Sequence, residues 1–556
     1  MLLLFGNIAA AQTERYTIVI NEIMFDPSPI VGVPNAEYIE LRNCSNRSID
    51  LNKWKIEKGS TTYSIGNSTV LKPDSLIVLC SKTNLPLFNP SLRIIALSSF
   101  PLLTNDEGII GLKSPDNTTV HAIEYKSSWH ENTIKVAGGW SLEMINPLQP
   151  CENNNWTSSV HRNGGTPGME NSVYKSKPAA SRFEALQCIA LNDQTLLIEF
   201  SHGADSSSLS NALNYSFREP MLSVRSAKAI GSLFNKAEIK LQTALKPNSV
   251  YNIEIKNILS CKKDKSLETI VQTGIQKDPL PKDILVNEVL FNPPSDGSDF
   301  IELYNNTQSV VNANELYLSS YNNLGGLTTN YKIGEGHFNF FPKDYIIISE
   351  DTAFVKKQWP SAISKKMIQV KNLPSLPDDE GNIIILNKQG IVLDNMYYTD
   401  NMHYPFLHDP SGVSLERIQP AASSQDKNNW HSASSSVNYA SPTLENSQYK
   451  KSDSTPSHFE IAPKILSPNN DGINDVLGIN YHFDQPGYTC TVYLFGLQGN
   501  LISKIIDNIL LGTSGSICWN GLNKGQILPA GQYIVYIEAF HLQSKTVKEK
   551  RLIAIR

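Results

Sequence analysis

The sequence predicts an all-β protein made of several sandwich or barrel domains in tandem, and three observations lead to that prediction. Its 556 residues correspond to about three to five domains. Only 18% of residues are charged, while 32 glycines and 31 prolines indicate many turns between short strands. A long internal repeat shows that one structural unit occurs twice.

Charge and hydropathy exclude two classes of partner. Lysine and arginine number 48 and aspartate and glutamate 53, so the formal net charge is −5. Nucleic acid binding is not expected, because it requires a concentrated positive surface. After the N-terminus no run approaches the roughly 20 apolar residues that cross a bilayer, so no transmembrane span is predicted.

The N-terminal segment, residues 1–11, is short and apolar and ends in three alanines before polar Gln12. It matches the apolar region and small-residue cleavage site of a secretory signal peptide, although the positive start of such a peptide is absent. We expect a signal peptide here, truncated if the true start codon lies further upstream, with a buried first strand as the alternative.

The repeat starts with Ile18–Pro27, which reads IVINEIMFDP, and returns as Ile284–Pro293, which reads ILVNEVLFNP. Five further blocks match in the same order: Glu37–Leu41 with Asp299–Leu303, Asp106–Gly108 with Asp379–Gly381, Ser141–Glu143 with Ser414–Glu416, Asn154–Trp156 with Asn428–Trp430, and Thr166–Asn171 with Ser441–Asn446. These are two copies of one domain of roughly 160 residues, with insertions and deletions in loops.

Strand patterns recur within each copy. In Glu37–Leu41, Tyr38 and Glu40 share one face and Ile39 and Leu41 the other. The run Ser75–Leu79 aligns with Asp344–Ile348 and reads as a buried strand. Breaks rich in proline and asparagine separate such runs, which favours a sandwich or barrel.

The blocks together resemble the lamin tail domain as found in bacterial secreted proteins. The resemblance rests on Asn21-Glu22-Ile23, Glu37–Leu41, Asp50–Ile56, and the Ser-Leu-Glu, Asn-Asn-Trp and Thr-Pro-Gly elements. It implies immunoglobulin-like β-sandwich domains at 16–173 and 284–447. The second copy departs from the pattern where Asn314–Leu318 stands in place of Asp50–Ile56.

Residues 176–277, between the copies, contain strand-like runs at Thr195–Phe200 and Ser249–Ile255. In the second run, Tyr251, Ile253 and Ile255 face one way, the period of a half-buried strand. This segment resembles bacterial immunoglobulin-like spacer domains. The fold class predicted for the whole chain is therefore all-β, with tandem immunoglobulin-like β-sandwich domains.

A polar linker, 448–458, precedes a terminal domain at 459–556. Its start, Leu466–Asp475, and its Gly531-Gln532-Tyr533 element resemble the C-terminal domain of gliding-motility-associated and type IX secreted proteins. That domain is similar to the immunoglobulin-like domain of flagellar hook-cap proteins. The resemblance implies recognition by an export machinery, passage across an outer membrane, and release or surface attachment. The final run, Leu552–Arg556, is expected to complete a sheet.

The seven cysteines form no CxxC pair and no cluster with histidine, so zinc and nucleophilic roles are poorly supported. Cys188 and Cys261 fall in one predicted module and Cys490 and Cys518 in another, which permits one disulfide in each in an oxidising compartment. The alternative is that the cysteines are small buried apolar residues.

Glu22 and Glu40, repeated as Glu288 and Glu302, are the best candidates for a paired acid and base of glycosidase type. A structural role, accepting hydrogen bonds from neighbouring strands, is favoured. Trp129, Trp140 and Trp156 suit sugar stacking, but core anchoring is the commoner role of tryptophan. We name no catalytic or cofactor-binding residue.

The sequence contains one candidate calcium site, in which oxygen-bearing side chains surround a glycine turn. These are the side chains of Asn469, Asp471, Asn474 and Asp475. The alternative is a plain Asx turn. His403, His408 and Asp409 form the densest histidine and aspartate group. The first copy is expected to have polar residues around 126–129, with no histidine, at the position of His403, so no metal triad is predicted.

These features predict a non-catalytic, exported protein of the outer-membrane surface or the medium, adhesive or structural in role. The duplicated domains would bind an extracellular glycan, matrix or protein target, and their duplication would raise avidity. The alternatives are an accessory component of an envelope or secreted hydrolase complex with protein partners, and an unrecognised hydrolase that uses Glu22 and Glu40. Phosphate-loop, nucleophile-elbow and zincin motifs are absent from the sequence.

Overall fold

The computed structural model describes residues 14–66, 68–152, 154–175, 182–322, 324–407, 409–450 and 458–556. They fall into two compact units: one comprises the residues up to Lys246 with Tyr251–Thr273, and the other comprises Pro247–Val250 with Gly274–Arg556. The chain is all-β and consists of tandem immunoglobulin-like sandwiches. Met1–Ala11, the predicted signal peptide, lies outside the described residues.

The first sandwich contains twelve strands, which run in chain order: β1 (Ile18–Met24), β2 (Tyr38–Asn43), β3 (Ile49–Asp50), β4 (Lys55–Lys58), β5 (Thr61–Ser64), β6 (Val70–Leu71), β7 (Leu76–Ser81), β8 (Ile94–Leu97), β9 (Glu107–Lys113), β10 (Thr119–Lys126), β11 (Leu142–Met144) and β12 (Trp156–Ser158). One helical turn, α1 (Thr133–Val136), and short 3₁₀ turns at Leu85–Leu87 and Ser127–His130 connect them.

Two sheets of this sandwich face each other, with strand orders β12-β11-β1-β2-β7-β8 and β10-β9-β4-β5. Ile39 and Leu41 of β2 lie in the core between them, as the alternation predicts. Tyr38, on the opposite face, is also buried, because it packs against Val78 and Phe88 in a second apolar cluster. The central strands are therefore covered on both faces.

The spacer sandwich, defined here as the residues from 182 to 273, has seven strands: β13 (Ala185–Ala190), β14 (Thr195–Phe200), β15 (Tyr215–Phe217), β16 (Val224–Ile230), β17 (Lys236–Leu241), β18 (Tyr251–Leu259) and β19 (Ser266–Thr273). The helical turns α2 (Ser206–Leu209) and Ala212–Asn214 interrupt them. Its sheets have the orders β13-β14-β17-β16 and β15-β18-β19. Burial alternates along β18, with Tyr251, Ile253 and Ile255 inside, as predicted.

The second copy repeats the first: β20 (Ile284–Leu290), β21 (Phe300–Asn305), β22 (Val311–Asn312), β23 (Tyr317–Ser319), β24 (Tyr331–Lys332), β25 (Asn339–Phe340), β26 (Tyr345–Ser349), β27 (Met367–Gln369), β28 (Glu380–Leu386), β29 (Val392–Thr399), β30 (Leu415–Arg417) and β31 (Trp430–Ser432). Helix α3 (Thr352–Gln358) and 3₁₀ turns at Ala313–Glu315, Ser364–Lys366, Asp400–Met402, Lys427–Asn429 and Ser435–Val437 join them.

Its sheets, β27-β26-β21-β20-β30-β31 and β24-β23-β28-β29, have the orders of the first copy. The segment that departs in sequence still forms a strand: β23 pairs with β28 as β4 pairs with β9. Leu316 and Leu318 supply its buried side chains. Apolar burial, rather than the particular motif, is what this position requires.

The terminal sandwich has ten strands: β32 (His458–Ala462), β33 (Ile465–Leu466), β34 (Leu477–His482), β35 (Thr489–Gly496), β36 (Leu501–Leu510), β37 (Ser514–Trp519), β38 (Leu522–Asn523), β39 (Gln526–Ile527), β40 (Gly531–Phe540) and β41 (Val547–Ile555). Sheets β32-β34-β37 and β33-β41-β40-β35-β36 enclose its core. The C-terminal run completes a sheet as predicted, because β41 pairs with both β40 and β33. No helix among the described residues is long and apolar enough to cross a membrane.

Candidate functional site

A β-bulge brings the first two candidate glutamates together. Between Ile20 and Glu22 the register of β1 against β2 shifts, so that Glu22 pairs with Glu40. Such a bulge redirects side chains, because two residues of one strand oppose one residue of the other. The extra residue, Asn21, uses its side-chain amide to donate to Glu40 at 2.9 Å and to Asn171 at 2.8 Å.

A third glutamate, which sequence reasoning missed, completes the group. Glu143 of β11 pairs with Glu22 on the side opposite Glu40. We call Glu22, Glu40 and Glu143 the first glutamate cluster; all three are fully buried. The signal that identifies Glu143 in the sequence is the Ser-Leu-Glu block, which recurs in the second copy.

The residues that cover the first glutamate cluster come from Thr166–Val173, here called the closing segment. Thr166 donates its backbone N–H to Glu22 at 2.8 Å and its hydroxyl to Glu143 at 2.9 Å. The Gly168 N–H donates to Glu40 at 2.5 Å, and the Ser172 hydroxyl donates to Glu143 at 2.8 Å. The carboxyl groups therefore hold the last segment of the domain onto its largest sheet.

The second glutamate cluster, Glu288, Glu302 and Glu416, repeats this arrangement with a bulge at Asn287. Ser441 donates its N–H to Glu288 at 2.9 Å and its hydroxyl to Glu416 at 2.7 Å. One donor differs between the copies. Tyr38 donates its hydroxyl to Glu22 at 2.7 Å, whereas the second copy has Phe300 at that position.

Burial determines the protonation of the clusters. Loss of hydration raises the pKa of Glu22 to about 7, reinforced by repulsion from Glu143 and opposed by the hydrogen bonds it accepts. Burial, reinforced by repulsion from Glu416, raises the pKa of Glu288 to about 8. Glu22 accepts a hydrogen bond from the Tyr38 hydroxyl, whereas Glu288 has no such hydroxyl donor because Phe300 stands at that position. The pKa values of Glu40 and Glu302 are also raised by burial.

This geometry favours the structural interpretation of the glutamates. A glycosidase pair acts across a cleft that admits substrate and water, with carboxyl groups about 5–9 Å apart. Glu22, Glu40, Glu288 and Glu302 are all 0% exposed and bonded to neighbouring strands and the chain that covers them. Their hydrogen bonds satisfy buried polar groups that would otherwise destabilise the sheet.

The expectation that the first copy lacks a histidine at the position of His403 is wrong. His130 occupies that position: its ring lies 5.6 Å from Phe25 and its Nδ1 2.9 Å from the Ser158 hydroxyl. His403 lies 5.4 Å from Phe291 and 3.0 Å from the Ser432 hydroxyl. The two copies are offset by a constant 273 residues between the Asp-Glu-Gly and Ser-Leu-Glu blocks, so the histidines already align in the sequence, and the expectation compared His403 with the wrong residues. His408 lies outside the described residues.

Both histidines are neutral structural groups. Burial lowers the pKa of His130 and of His403 to about 4, because the interior disfavours the imidazolium. Each ring packs on a core phenylalanine and accepts or donates one hydroxyl hydrogen bond. Among the described residues no group of three or more histidine, cysteine, aspartate or glutamate side chains is arranged to hold a metal ion.

The calcium candidate of the terminal domain forms a tightly bonded turn. Asp475 accepts from the N–H groups of Asn470 at 2.6 Å and Gly472 at 2.7 Å. Asp471 accepts from the N–H of Ile473 at 2.8 Å and from the Asn469 amide at 2.9 Å, and these hydrogen bonds lower the pKa of its carboxyl. These contacts are those of an Asx turn; calcium binding by Asn469, Asp471, Asn474 and Asp475 stays a prediction.

The disulfide pairing differs from the one considered from sequence. Cys151 of the first sandwich is bonded to Cys261 of the spacer sandwich, 110 residues later. Cys188 and Cys490 are buried thiols, and Cys518 is an exposed thiol. Cys188 is fully buried, and burial raises the pKa of its thiol to about 12. The alternative of small buried cysteines holds for Cys80, Cys188 and Cys490.

The tryptophans of the repeated Asn-Asn-Trp block are core anchors. Trp156 is 7% exposed and Trp430 is 3% exposed, and each belongs to the core of its sandwich. Trp129 packs against the first of these cores from its edge. Trp140 contacts the Lys135 ammonium group, which lies 4.3 Å from its ring centroid.

Residues 11–127 match the family model of the Lamin Tail Domain. The resemblance of the first copy is confirmed over those residues. They are less than a quarter of the chain, so the assignment of the second copy and of the terminal domain stays a prediction. None of the curated proteins compared with the chain is similar to it in sequence.

Several solved structures are distantly similar. The N-terminal part of the bacterial S-layer protein SbsC has 12% identity and a TM-score of 0.16, over 40% of this chain and 44% of that one. A tetra-tandem repeat from the extending region of a large adhesion protein has 7% identity and a TM-score of 0.12, over 97% and 98%. Dimeric latent PorU from Porphyromonas gingivalis has 7% identity and a TM-score of 0.15, over 80% and 40%.

The chain thus spans less than half the length of the S-layer fragment and of PorU. At these identities and TM-scores the similarities carry no information about function, because unrelated activities occur on the same sandwich architecture.

Proposed function

We propose that this chain is a non-catalytic, exported protein of the bacterial cell surface or medium, with a structural or adhesive role. The observation that carries the proposal is the disulfide between Cys151 and Cys261. Disulfides of this kind form and persist in oxidising compartments outside the cytoplasm. The predicted signal peptide and the resemblance of residues 459–556 to type IX secreted domains support the same location outside the cytoplasm.

The buried glutamate clusters support the absence of catalysis. The sequence elements that recur in both copies are used to close each sandwich, with the carboxyl groups fully covered. Recurrence of Glu22 as Glu288 and of Glu40 as Glu302 is explained by this closing role. The duplicated sandwiches then supply two copies of one surface, which raises the avidity for a repetitive target through effective concentration.

The address is tested by expressing the tagged full-length chain in a bacterium with a type IX secretion system. Intact cells, envelope and medium are separated, and unfolded samples are treated with a thiol-reactive probe before and after reduction. We expect the chain at the surface or in the medium, with five reactive cysteines before reduction and seven after it. A cytoplasmic chain with seven reactive thiols would contradict the proposal.

The adhesive role is tested separately with the purified, oxidised full-length chain on glycan arrays and on isolated cell walls. Saturable binding, weakened when a variant lacks one lamin-tail-like copy, is the expected result. Blank assays combined with co-purification of one stoichiometric protein would instead favour the accessory component of an envelope or hydrolase complex.

A further inference from the structure

A cavity of about 240 Å³ lies in the first unit, lined by residues of the first sandwich and of the spacer sandwich. Cys151, which carries the disulfide to Cys261, forms part of its wall. The volume is below the roughly 300 Å³ at which pockets for drug-sized ligands begin. It is still several times the roughly 30 Å³ that one water molecule occupies in the liquid.

Three polar atoms at this cavity have no hydrogen-bond partner among the described residues. They are Nε of Arg15, the hydroxyl oxygen of Tyr16 and Nε2 of His202, and all three residues line the cavity. Buried polar groups are nearly always bonded, because leaving one unpaired costs about 1–3 kcal/mol. The coincidence of three such atoms in one cavity therefore points to a ligand-binding site.

Arg15 supplies the charge. Its guanidinium lies 4.7 Å from the ring centroid of Tyr16 and 4.3 Å from that of Phe234, so two aromatic side chains hold it. It forms no ion pair with any residue that the structure describes. Burial lowers the pKa of Arg15, an energetic cost that an anion beside the guanidinium would offset.

The other charges that line the cavity have partners. Glu152 lies 3.3 Å from the Lys265 ammonium group, and Lys126 lies 3.7 Å from Glu124. Asp205 attracts the Arg15 guanidinium from beyond ion-pair distance but is itself paired with Lys263 at 3.3 Å, so the guanidinium has no carboxylate partner of its own among the described residues. The cavity therefore favours a negatively charged ligand over a neutral or positive one.

His202 provides the second buried group, since its side chain is 2% exposed. Its ring packs 4.9 Å from Phe183, and Nδ1 lies 3.1 Å from the Ser201 hydroxyl. The Ser201 hydroxyl also donates to the Arg182 carbonyl at 3.1 Å, so it accepts from Nδ1, and Nε2 is then an acceptor. The Tyr16 hydroxyl is therefore the neutral donor beside the guanidinium, and Nε2 would accept from a hydroxyl group of the ligand.

We propose that this cavity binds a small oxyanion, a carboxylate or phosphate group, through Arg15 and Tyr16, with Nε2 of His202 accepting from a hydroxyl group of the ligand. Carboxylate and phosphate oxygens are the acceptors that a guanidinium and neighbouring neutral donors bind best. The rings of Trp129 and Trp156 complete the lining and would contact the organic part of a larger ligand. The site does not depend on the proposed cell-surface role.

Calorimetric titration of the oxidised full-length chain with sodium phosphate, acetate or glucuronate, at constant ionic strength with chloride as reference, tests the site. We expect one saturable site for at least one of these anions. Which of the anions binds shows whether the site prefers phosphate or carboxylate. Arg15→Gln should weaken binding by about tenfold or more, since it removes the charged donor. Arg225→Gln, at an exposed arginine of β16, is the matched control and should bind as the unaltered chain does.

Tyr16→Phe removes one oxygen atom and tests the site independently, in case the arginine variant does not fold. It should weaken binding by several-fold with an unchanged thermal midpoint. The proposal is overturned if none of the three anions binds, in which case water fills the cavity. It is equally overturned if a folded Arg15→Gln variant, or the Tyr16→Phe variant, retains full affinity.

Discussion

The hydroxyl oxygen of Tyr38 lies 2.6 Å from the point that a Cβ on Gly165 would occupy. The second copy has Phe300 and Ala440 at these two positions, in contact within one apolar cluster. A hydroxyl in one copy and a methyl group in the other thus fill the same space beside the glutamate cluster. The exchange conserves volume, which is the kind of change that packed cores tolerate.

This pairing predicts non-additive mutations. Gly165→Ala should destabilise the first sandwich by about 1–3 kcal/mol, because the new methyl group meets the Tyr38 hydroxyl. The double variant Tyr38→Phe with Gly165→Ala should lose less stability than the sum of the two single variants. Calorimetric unfolding of the full chain measures each effect.

Gly478→Ala is the control for the Gly165 experiment, because a Cβ there meets nothing closer than 3.6 Å. It should change stability by no more than a few tenths of a kcal/mol in either direction. Strict additivity in the Tyr38 and Gly165 cycle would refute the packing relationship.

A second exchange between the copies predicts a compensated pair. Asp394 accepts the Val286 N–H at 2.9 Å and lies 3.1 Å from buried Arg417, whereas the first copy has His121 and Met144 at these positions. Arg417→Met alone should cost about 3–5 kcal/mol, because it leaves a buried carboxyl without its partner. Adding Asp394→His should recover most of the loss.

Thermal unfolding of the full chain compares Arg417→Met with the Arg417→Met, Asp394→His double variant. The matched control is Arg551→Met, which breaks an ion pair at the surface, where Arg551 lies 2.5 Å from Glu549. That surface change should cost about 1 kcal/mol or less. An equal loss in the single and double variants would show that His121 and Asp394 are not interchangeable.

Stability should fall as the pH rises through the neutral range. The folded state raises the pKa of Glu288 to about 8, above the ordinary value of about 4.5, so the folded state holds a proton that the unfolded chain has released. The stabilisation is complete below pH 4.5 and is lost as the pH rises to about 8, by at most about 1.4 kcal/mol per pH unit for one proton.

The buried histidines change the stability in the opposite direction, and they do so at lower pH. Burial lowers the pKa of His403 to about 4, so its contribution is lost below pH 6.5 and is constant above it. Between pH 6.5 and 8.5 the glutamate effect should therefore be visible in urea unfolding of the full chain. Glu288→Gln should give a flatter profile than the unaltered chain; identical slopes would contradict the assignment.

Reduction of the disulfide should destabilise the first unit. Cys151 and Cys261 are 110 residues apart, and a bond closing a loop of that length contributes about 4–5 kcal/mol, chiefly by restricting the unfolded chain. Calorimetry of the full chain with and without reductant measures the shift. Cys151→Ser should match the reduced protein, and Cys518→Ser, at an exposed free thiol, should leave the midpoint unchanged.

Much of the fold follows from local pattern. The alternation of Tyr251, Ile253 and Ile255 predicts the half-buried face of β18, and the final run predicts the strand that completes the terminal sheet. The repeated blocks identify two related sandwiches without any long-range information. These features depend on residues a few positions apart, where period and burial are directly coupled.

The glutamate cluster shows where sequence reasoning ends. Glu22 and Glu40 are recognisable from their repeated motifs, but sequence analysis does not identify Glu143 as their neighbour or Thr166–Val173 as their cover. The pairing of β11 with β1 brings residues together across more than a hundred positions. Whether the carboxyl groups form an exposed acid pair or a buried hydrogen-bonded cluster depends on that contact.

The sequence by itself determined the all-β class, the duplication, the strand periods and the recurrence of the acidic residues. Only the tertiary structure decided that Cys151 pairs with Cys261, that Glu143 lies beside Glu22, and that Arg15 and His202 line one cavity. The reason is physical: strand formation responds to local hydrophobic period, whereas pairing, burial and pKa depend on which distant segments pack together.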